Sequence, residues 1–587
     1  MTLAGCFLSS DSPDDALSRF ADALERRDAQ AAAAATDDPD AARPVMTSMF
    51  DGLGKKATVT TDPGLVDDKK VTGTIAYRWS FGPDKTASYQ TDVALTEGDS
   101  GWRVRWSPTV LHRNLLATQS FSYSDERDVT TNVVDRSGRP LMTWQTVSVI
   151  ALRRDALDSA DQLARALRPV EPSLTAAGIR ESFRGNTSRQ GTDPGADGAE
   201  TRTVIRLRED DMARVGRAVR GIAGVTVTEQ GALLSATRQL HSPAMSGLEE
   251  MWRQEIDRTA GWSMRIVNAD GAPADVLGGA DARPTPPVRT TLDRDVQTQA
   301  QRAVDSQRRP AMIVALRPST GGIVAVAQNA AADRSGAVAL TGLYPPGSTF
   351  KTITTAAALD ADAVQPRSPV QCPGRATIEG RTIPNEDDFD LGTTDLTTAF
   401  ARSCNTTMGA LANRLPPDAL TTTARAFGIG ADYTVPGVTT VTGRVPNADT
   451  PALRVENGIG QGTVTVSPFG LALAEASLAR GQTVTPQLVV GRDTTGDTEP
   501  QRISPTTARA LRAMMAQTVA SGTATELRDI PGLGGKTGTA EYGDNRNPHG
   551  WFAGIVDDLS FATLVVGGGS SGPAIAVTGE FLRPLRE

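Results

Sequence analysis

Residues 344–351 read Tyr-Pro-Pro-Gly-Ser-Thr-Phe-Lys, and a helical run continues from them past Leu359. Two prolines and a glycine make a stiff turn ahead of Ser348. Ser348 and Lys351, three residues apart, share one face of the helix that follows. A hydroxyl at a helix N-terminus lies near unpaired backbone N–H groups and the positive end of the helix dipole, both of which favour an oxyanion forming there. Serine becomes a nucleophile only with a base, and an amine is a base only when neutral. Burial and a second nearby cation would both push Lys351 toward that state.

A Ser-x-x-Lys string alone fits an ordinary helix start with a surface lysine. Here two further strings follow it in order: Ser403, Cys404 and Asn405, then Lys536, Thr537, Gly538 and Thr539. The set of three is far more specific than any member. Gly534, Gly535 and Gly538 let the backbone come close to a substrate. On an extended strand Thr537 and Thr539 face the same way, so two hydroxyls could hold the free carboxylate of a peptide. Lys536 brings the second cation that a neutral Lys351 requires.

Outward from this set, Ala311–Leu316, Arg317–Gly322 and Ile323–Ala327 read as strand, turn and strand, a hairpin built for burial. At the other end, Ser12 and Pro13 with two following aspartates form a helix start, and Leu17, Phe20, Ala21 and Leu24 make one buried stripe. An alanine-rich helix through Ala35 comes next. Extended segments follow near Thr58–Thr61, Val71–Phe81, Thr91–Leu95 and Trp102–Trp106, which makes residues 10–118 a small α+β domain. Tyr77, Trp79, Phe81, Trp102 and Trp106 are expected as core and sheet face rather than a ligand pocket. Between Phe121 and Arg283 come short strands, a helix over Asp155–Leu167 and a loop-like insertion, Gly185–Gly198. Gly271–Pro287, rich in Ala, Gly and Pro, is expected to be a linker.

At 587 residues the chain exceeds a single core, so several domains are expected. A formal net charge of -8 without a basic run argues against nucleic acid as a partner. No stretch is long and apolar enough to span a bilayer. The three histidines and three cysteines are not spaced as metal ligands, so neither a metal site nor any other cofactor is expected.

These motifs resemble those of the class B penicillin-binding proteins, and more closely the penicillin-binding lipoproteins of actinobacteria. Arg127 with Asp135–Gly138 is similar to the strand opening their dimerisation or pedestal domain. Pro318–Ala327, Gly460–Gly462 and Trp551–Gly554 are similar to strings of their transpeptidase domain. The resemblance implies a multidomain α+β chain. Residues 1–9 would be a lipobox remnant and tether, 10–118 an NTF2-like domain and 121–283 the pedestal. Residues 288–587 would be a transpeptidase domain of β-lactamase-like fold, an antiparallel sheet flanked by helices. It further implies a D,D-transpeptidase that cross-links peptidoglycan stem peptides. Ser348 would be the nucleophile, Lys351 its base, Ser403 a proton relay, Asn405 an amide binder and Lys536 a tuner of charge. Thr537, Gly538 and Thr539 would bind substrate, with the N–H groups of Ser348 and Thr539 as oxyanion hole. Expected partners are D-Ala-D-Ala donor and amine acceptor peptides, β-lactams as covalent inhibitors, and a glycosyltransferase and other cell-wall synthesis proteins. Leu3, Ala4, Gly5 and Cys6 match a lipobox whose upstream signal lies outside this sequence, which would place the protein on the outer face of the cell membrane with lipid on Cys6.

Three other readings compete. A serine β-lactamase needs a Glu that activates the deacylating water, and the nearest string, Glu475–Ala479, lacks the Asn of a Glu-x-x-Leu-Asn loop. A β-lactam sensor would need a transmembrane signalling helix. A non-enzymatic cell-wall scaffold would not need all three motifs intact. Cys372 and Cys404 could bridge in an exported chain, but two separate buried thiols are the favoured expectation, since relatives with Ser-Cys-Asn occur without a bridge.

Overall fold

The structure is a computed structural model that describes residues 12–67, 71–99, 101–183, 200–237, 240–541 and 547–586. Cys6 and the whole of the Gly185–Gly198 insertion lie outside the described residues. Two compact units emerge, one taking in the chain through Val129 together with Gln254–Pro286, the other Thr130–Arg253 together with Pro287 onward. Among the described residues no helix is long and apolar enough to cross a membrane.

In the first unit the helix Pro13–Glu25 starts as its sequence dictates. The Ser12 hydroxyl accepts the Asp15 N–H and the Asp15 carboxylate accepts the Ser12 N–H, a reciprocal cap. Its apolar stripe joins the helices Ala29–Ala34 and Pro39–Leu53 against an antiparallel four-stranded sheet in chain order, Thr58–Pro63, Thr72–Ser80, Thr86–Gly98 and Gly101–Val104. Tyr77 and Trp79 are buried in this core, with Phe81, Trp102 and Trp106 packed on it. A second sheet places Gly261–Val267 between Ser120–Glu126 and Pro273–Ala280, antiparallel on both sides. Nearly half of the expected linker is therefore the strand Pro273–Ala280. Gly271, at φ 82°, turns the chain between the two strands, and Asn268 and Ala272 close the turn with a 2.9 Å backbone bond. Main-chain pairing holds a strand whose Ala and Gly side chains give no pattern to read.

In the second unit the long strand Pro140–Arg153 lies between Thr201–Arg208 and Val225–Ser235, antiparallel to both. Helices Ala160–Leu167 and Glu209–Arg220 cover one face through Leu163, Leu167, Val215 and Val219. Asp135–Gly138 is a turn, not a strand. The buried Asp135 carboxylate accepts the N–H groups of Ser137 and Arg139, and the Arg139 guanidinium pairs with it.

The remaining sheet runs Gly322–Gln328, Ala311–Arg317, Leu559–Val565, His549–Val556, Gly534–Ala540, antiparallel throughout. Helices Arg294–Asp305 and Gly572–Leu582 pack on one face around Ile313, Ala315, Phe552 and Phe561. Ser560, on the opposite face, donates to the Ala472 carbonyl of the helix Pro468–Arg480. Cover on both faces explains why 311–316 is apolar without alternation. The strand carrying Lys536–Thr539 is the sheet's edge, and its free side meets the turn before Ser348.

Candidate active site

Ser348 sits in a 3-10 turn, Gly347–Phe350, that runs directly into the helix Lys351–Asp360. The expectation was an α-helical first turn. A 3-10 turn eclipses positions i and i+3, so it aligns Ser348 with Lys351 more directly. Gly347, at φ 51°, donates to the Gly460 carbonyl at 3.0 Å, and Gly460 is itself left-handed at φ 75°. A Cβ on Gly460 would lie 2.0 Å from the Gly347 oxygen, so the stretch Gly460–Gly462 serves as the seat of the nucleophile turn. The Trp551 indole N–H holds the Pro345 carbonyl at 2.9 Å. Gly538 also acquires a reason: its Cβ would fall 2.8 Å from the Pro346 oxygen, so the close approach it permits is to this turn.

The Lys351 amine is fully buried and donates to the Ser403 carbonyl at 2.7 Å, the Ser403 hydroxyl at 3.1 Å and the Asn405 side-chain oxygen at 2.6 Å. Burial, then the neighbouring charge of Lys536, push its pKa well below that of a free lysine, against a smaller pull from Glu386. Lys536 is equally buried, donates to the Thr537 carbonyl at 3.1 Å and stands over the Phe400 ring at 5.8 Å. Burial brings it down to about 7, again opposed by Glu386. Among the described residues neither amine has an ion-pair partner, so burial works against the charged form of each.

Ser348, Ser403, Asn405, Thr537 and Thr539 line one cleft of about 390 Å³. Lys351 and Lys536 lie behind its wall, and Gly538 faces the Ser348 turn. The sequence reading missed much of the remaining lining, including Asn385 and Glu386, the Arg381–Glu456 ion pair at 2.8 Å, Glu541, and Thr523, whose hydroxyl is 2.6 Å from that of Thr537. None carries a local motif; each enters by tertiary folding. Glu475 is not among the lining residues. It is buried in the helix Pro468–Arg480, where neither carboxyl oxygen meets a hydrogen-bonding partner among the described residues.

Cys372 and Cys404 form a disulfide across 32 residues, which corrects the expectation of separate thiols. Thiol titration of unfolded, unreduced protein with Cys6 replaced should find no free thiol, and two free thiols would contradict the bridge.

Comparison with known proteins matches residues 311–585 to the penicillin-binding protein transpeptidase domain and residues 12–119 to the NTF2-like N-terminal transpeptidase domain. The peptidoglycan D,D-transpeptidase PbpA of Mycobacterium tuberculosis is 36% identical over 36% of this chain and 47% of its own length. PbpA of Mycolicibacterium smegmatis is 33% identical over 50% of this chain and 70% of its own. The transpeptidase MrdA of Acinetobacter baumannii is 25% identical over half of each. The chain thus spans about half the length of the M. tuberculosis relative and over two thirds of the M. smegmatis one. On the match to the latter and on both domain models, the chain belongs to the penicillin-binding protein transpeptidases, with an NTF2-like domain ahead of the transpeptidase domain.

Proposed function

We propose that the protein is a serine D,D-transpeptidase that cross-links peptidoglycan stem peptides through an acyl-enzyme on Ser348. The observation that carries this reading is the buried Lys351 amine, without an ion-pair partner among the described residues, set against Ser403 and Asn405 behind the cleft that Ser348 lines. Ser348 Oγ attacks the carbonyl between the two terminal D-alanines of the donor and passes its proton to Lys351. The N–H groups of Ser348 and Thr539 take the oxyanion, and the terminal carboxylate rests on Thr537 and Thr539. The C–N bond then breaks, with Ser403 relaying a proton to the departing D-alanine amine. The amine of a second strand attacks the ester, and the proton it sheds returns to Ser348. Lys536 keeps the charge at Lys351 low, and Asn405 holds the substrate amide.

β-Lactams would acylate the same serine. The acid that the sequence offered to the β-lactamase reading, Glu475, is buried outside the cleft, and the carboxylates that do line it, Glu386, Glu456 and Glu541, stand in no Glu-x-x-Leu-Asn string. The family supports a membrane-associated, extracytoplasmic enzyme; that it is anchored by lipid on Cys6 rests on the lipobox match of Leu3–Cys6 alone, and a glycosyltransferase and other cell-wall synthesis proteins are its proposed partners. To test the function, a thioester or D-Ala-D-Ala peptide donor is turned over with and without an amine acceptor. Turnover that rises with the amine and yields the aminolysis product is expected. Hydrolysis indifferent to the amine would contradict the proposal.

A further inference from the structure

The helix Asn405–Asn413 begins inside the second motif, and its first N–H groups need acceptors. The residue at its cap position is Cys404, which makes no side-chain cap because its sulfur is bonded to Cys372. The acceptor comes instead from a distant segment. Asn385 Oδ1 accepts the N–H of Asn405 at 2.8 Å and of Thr406 at 3.2 Å. Its Nδ2 donates to the carbonyls of Pro373 at 2.9 Å and Phe389 at 2.8 Å, and its backbone N–H donates to Gly374 at 2.8 Å. The residue is 2% exposed, and its side chain is satisfied at every site. An aspartate could not donate and an alanine could do neither.

What this clamp holds bears on the chemistry. The Asn405 side chain spans Lys351 on one side and, through Nδ2 at 2.9 Å, the carbonyl of Pro384, the residue before the clamp. Ser403, two residues ahead of the clamped N–H, is left-handed at φ 62°, a conformation that a side-chain-bearing residue keeps only where its surroundings impose it. In that conformation both its carbonyl and its hydroxyl accept from Lys351.

We infer that Asn385 is a positioning residue for acylation: it clamps the first turn of the helix Asn405–Asn413 and so holds Ser403 and Asn405 on the Lys351 amine. The inference rests on the reading of Ser348 as an acylated nucleophile. Removing the clamp lets Ser403 relax toward ordinary backbone, which takes two of the three acceptors off Lys351 while leaving Ser348, Thr537 and Thr539 in place. The loss therefore falls on the acylation step and not on the binding that precedes it.

The test compares Asn385→Ala with a matched control. Asn329 is also a buried asparagine, accepting the N–H groups of Ala311 and Ala332 and donating to the carbonyls of Val304, Gln307 and Arg309, and it does not line the cleft. Stopped-flow labelling with a chromogenic penicillin, well below each melting temperature, separates the acylation rate from the prior binding constant. N385A should acylate about 10- to 100-fold more slowly with binding little changed. N329A should lose stability and keep the parent's acylation rate. An unchanged acylation rate in N385A, or an equal loss in N329A, overturns the inference. Should N385A not fold, N385D carries the test, since its carboxylate faces the Pro373 and Phe389 carbonyls and displaces the clamp without a change of volume. Acylation at least about tenfold slower, with the acid limb of its pH profile moved to higher pH, is then expected; a rate and limb equal to the parent's overturn the inference. A parent that takes no label at Ser348 overturns the transpeptidase reading and this inference together, whereas a labelled parent with an unaffected variant overturns this inference alone.

Discussion

Ser348→Ala should abolish covalent penicillin labelling while the melting temperature stays within about 2 °C of the parent's. The asymmetry follows from the site. The Ser348 side chain lines the cleft, half-buried, and its hydroxyl makes no hydrogen bond among the described residues, so its removal leaves no buried group unpaired. The chemistry has no substitute for it: loss of a serine nucleophile costs about six orders of magnitude in such enzymes. Labelling and calorimetry on the same preparation check both halves, and retained label, or label on another serine, would displace the assignment.

The second large effect is on stability and concerns a residue outside the mechanism. Burial pushes the Glu475 carboxyl up to about 8. Below about pH 4.5 the group is protonated in the folded and unfolded chain alike. Between there and pH 8 the unfolded chain ionises and the folded one does not, so folding must take up a proton. The stability that Glu475 permits is thus full at low pH and is lost as pH rises, by about 1.4 kcal/mol per unit. Lys536, whose pKa is lowered by burial, acts in the opposite sense: its contribution falls as pH drops toward 7. Comparing Glu475→Gln with the parent isolates the carboxyl. The variant should be more stable by a few kcal/mol at pH 8, roughly 5–10 °C in melting temperature, and indistinguishable near pH 4. Its penicillin labelling should be unaltered. A difference that did not vary with pH would show that Glu475 is not held protonated.

Sequence reached the site by a particular route. The three motifs are short, and each is built on local backbone: a turn into a helix, the entry to a helix, an edge strand. Residue type and spacing carry such features, and the same holds for the capped helix at Ser12 and the apolar hairpin over 311–328. What stayed hidden depends on contacts between distant segments. Asn385 matters because three other segments meet at it, and nothing in Pro384, Asn385, Glu386 announces that. The Cys372–Cys404 bridge depends on Cα atoms 6.1 Å apart that are 32 positions distant in sequence. Pro273–Ala280 was misread because composition stood in for pairing. Gly538 was recognised as a site of close approach, but the partner is the Pro346 backbone of the nucleophile turn, which only the folded chain reveals.

The fate of the acyl-enzyme tests the central claim most directly. Transpeptidase and β-lactamase both begin with attack by Ser348, and they part at deacylation, where a β-lactamase needs a base beside the ester to activate water. The one acid the sequence offered for that task, Glu475, is enclosed in a helix away from the cleft. Intact-protein mass spectrometry after a single addition of penicillin, followed by mapping of the modified peptide, should find one penicilloyl group per chain on Ser348, persisting from many minutes to hours. Rapid catalytic hydrolysis of the drug with no adduct accumulating would contradict the account.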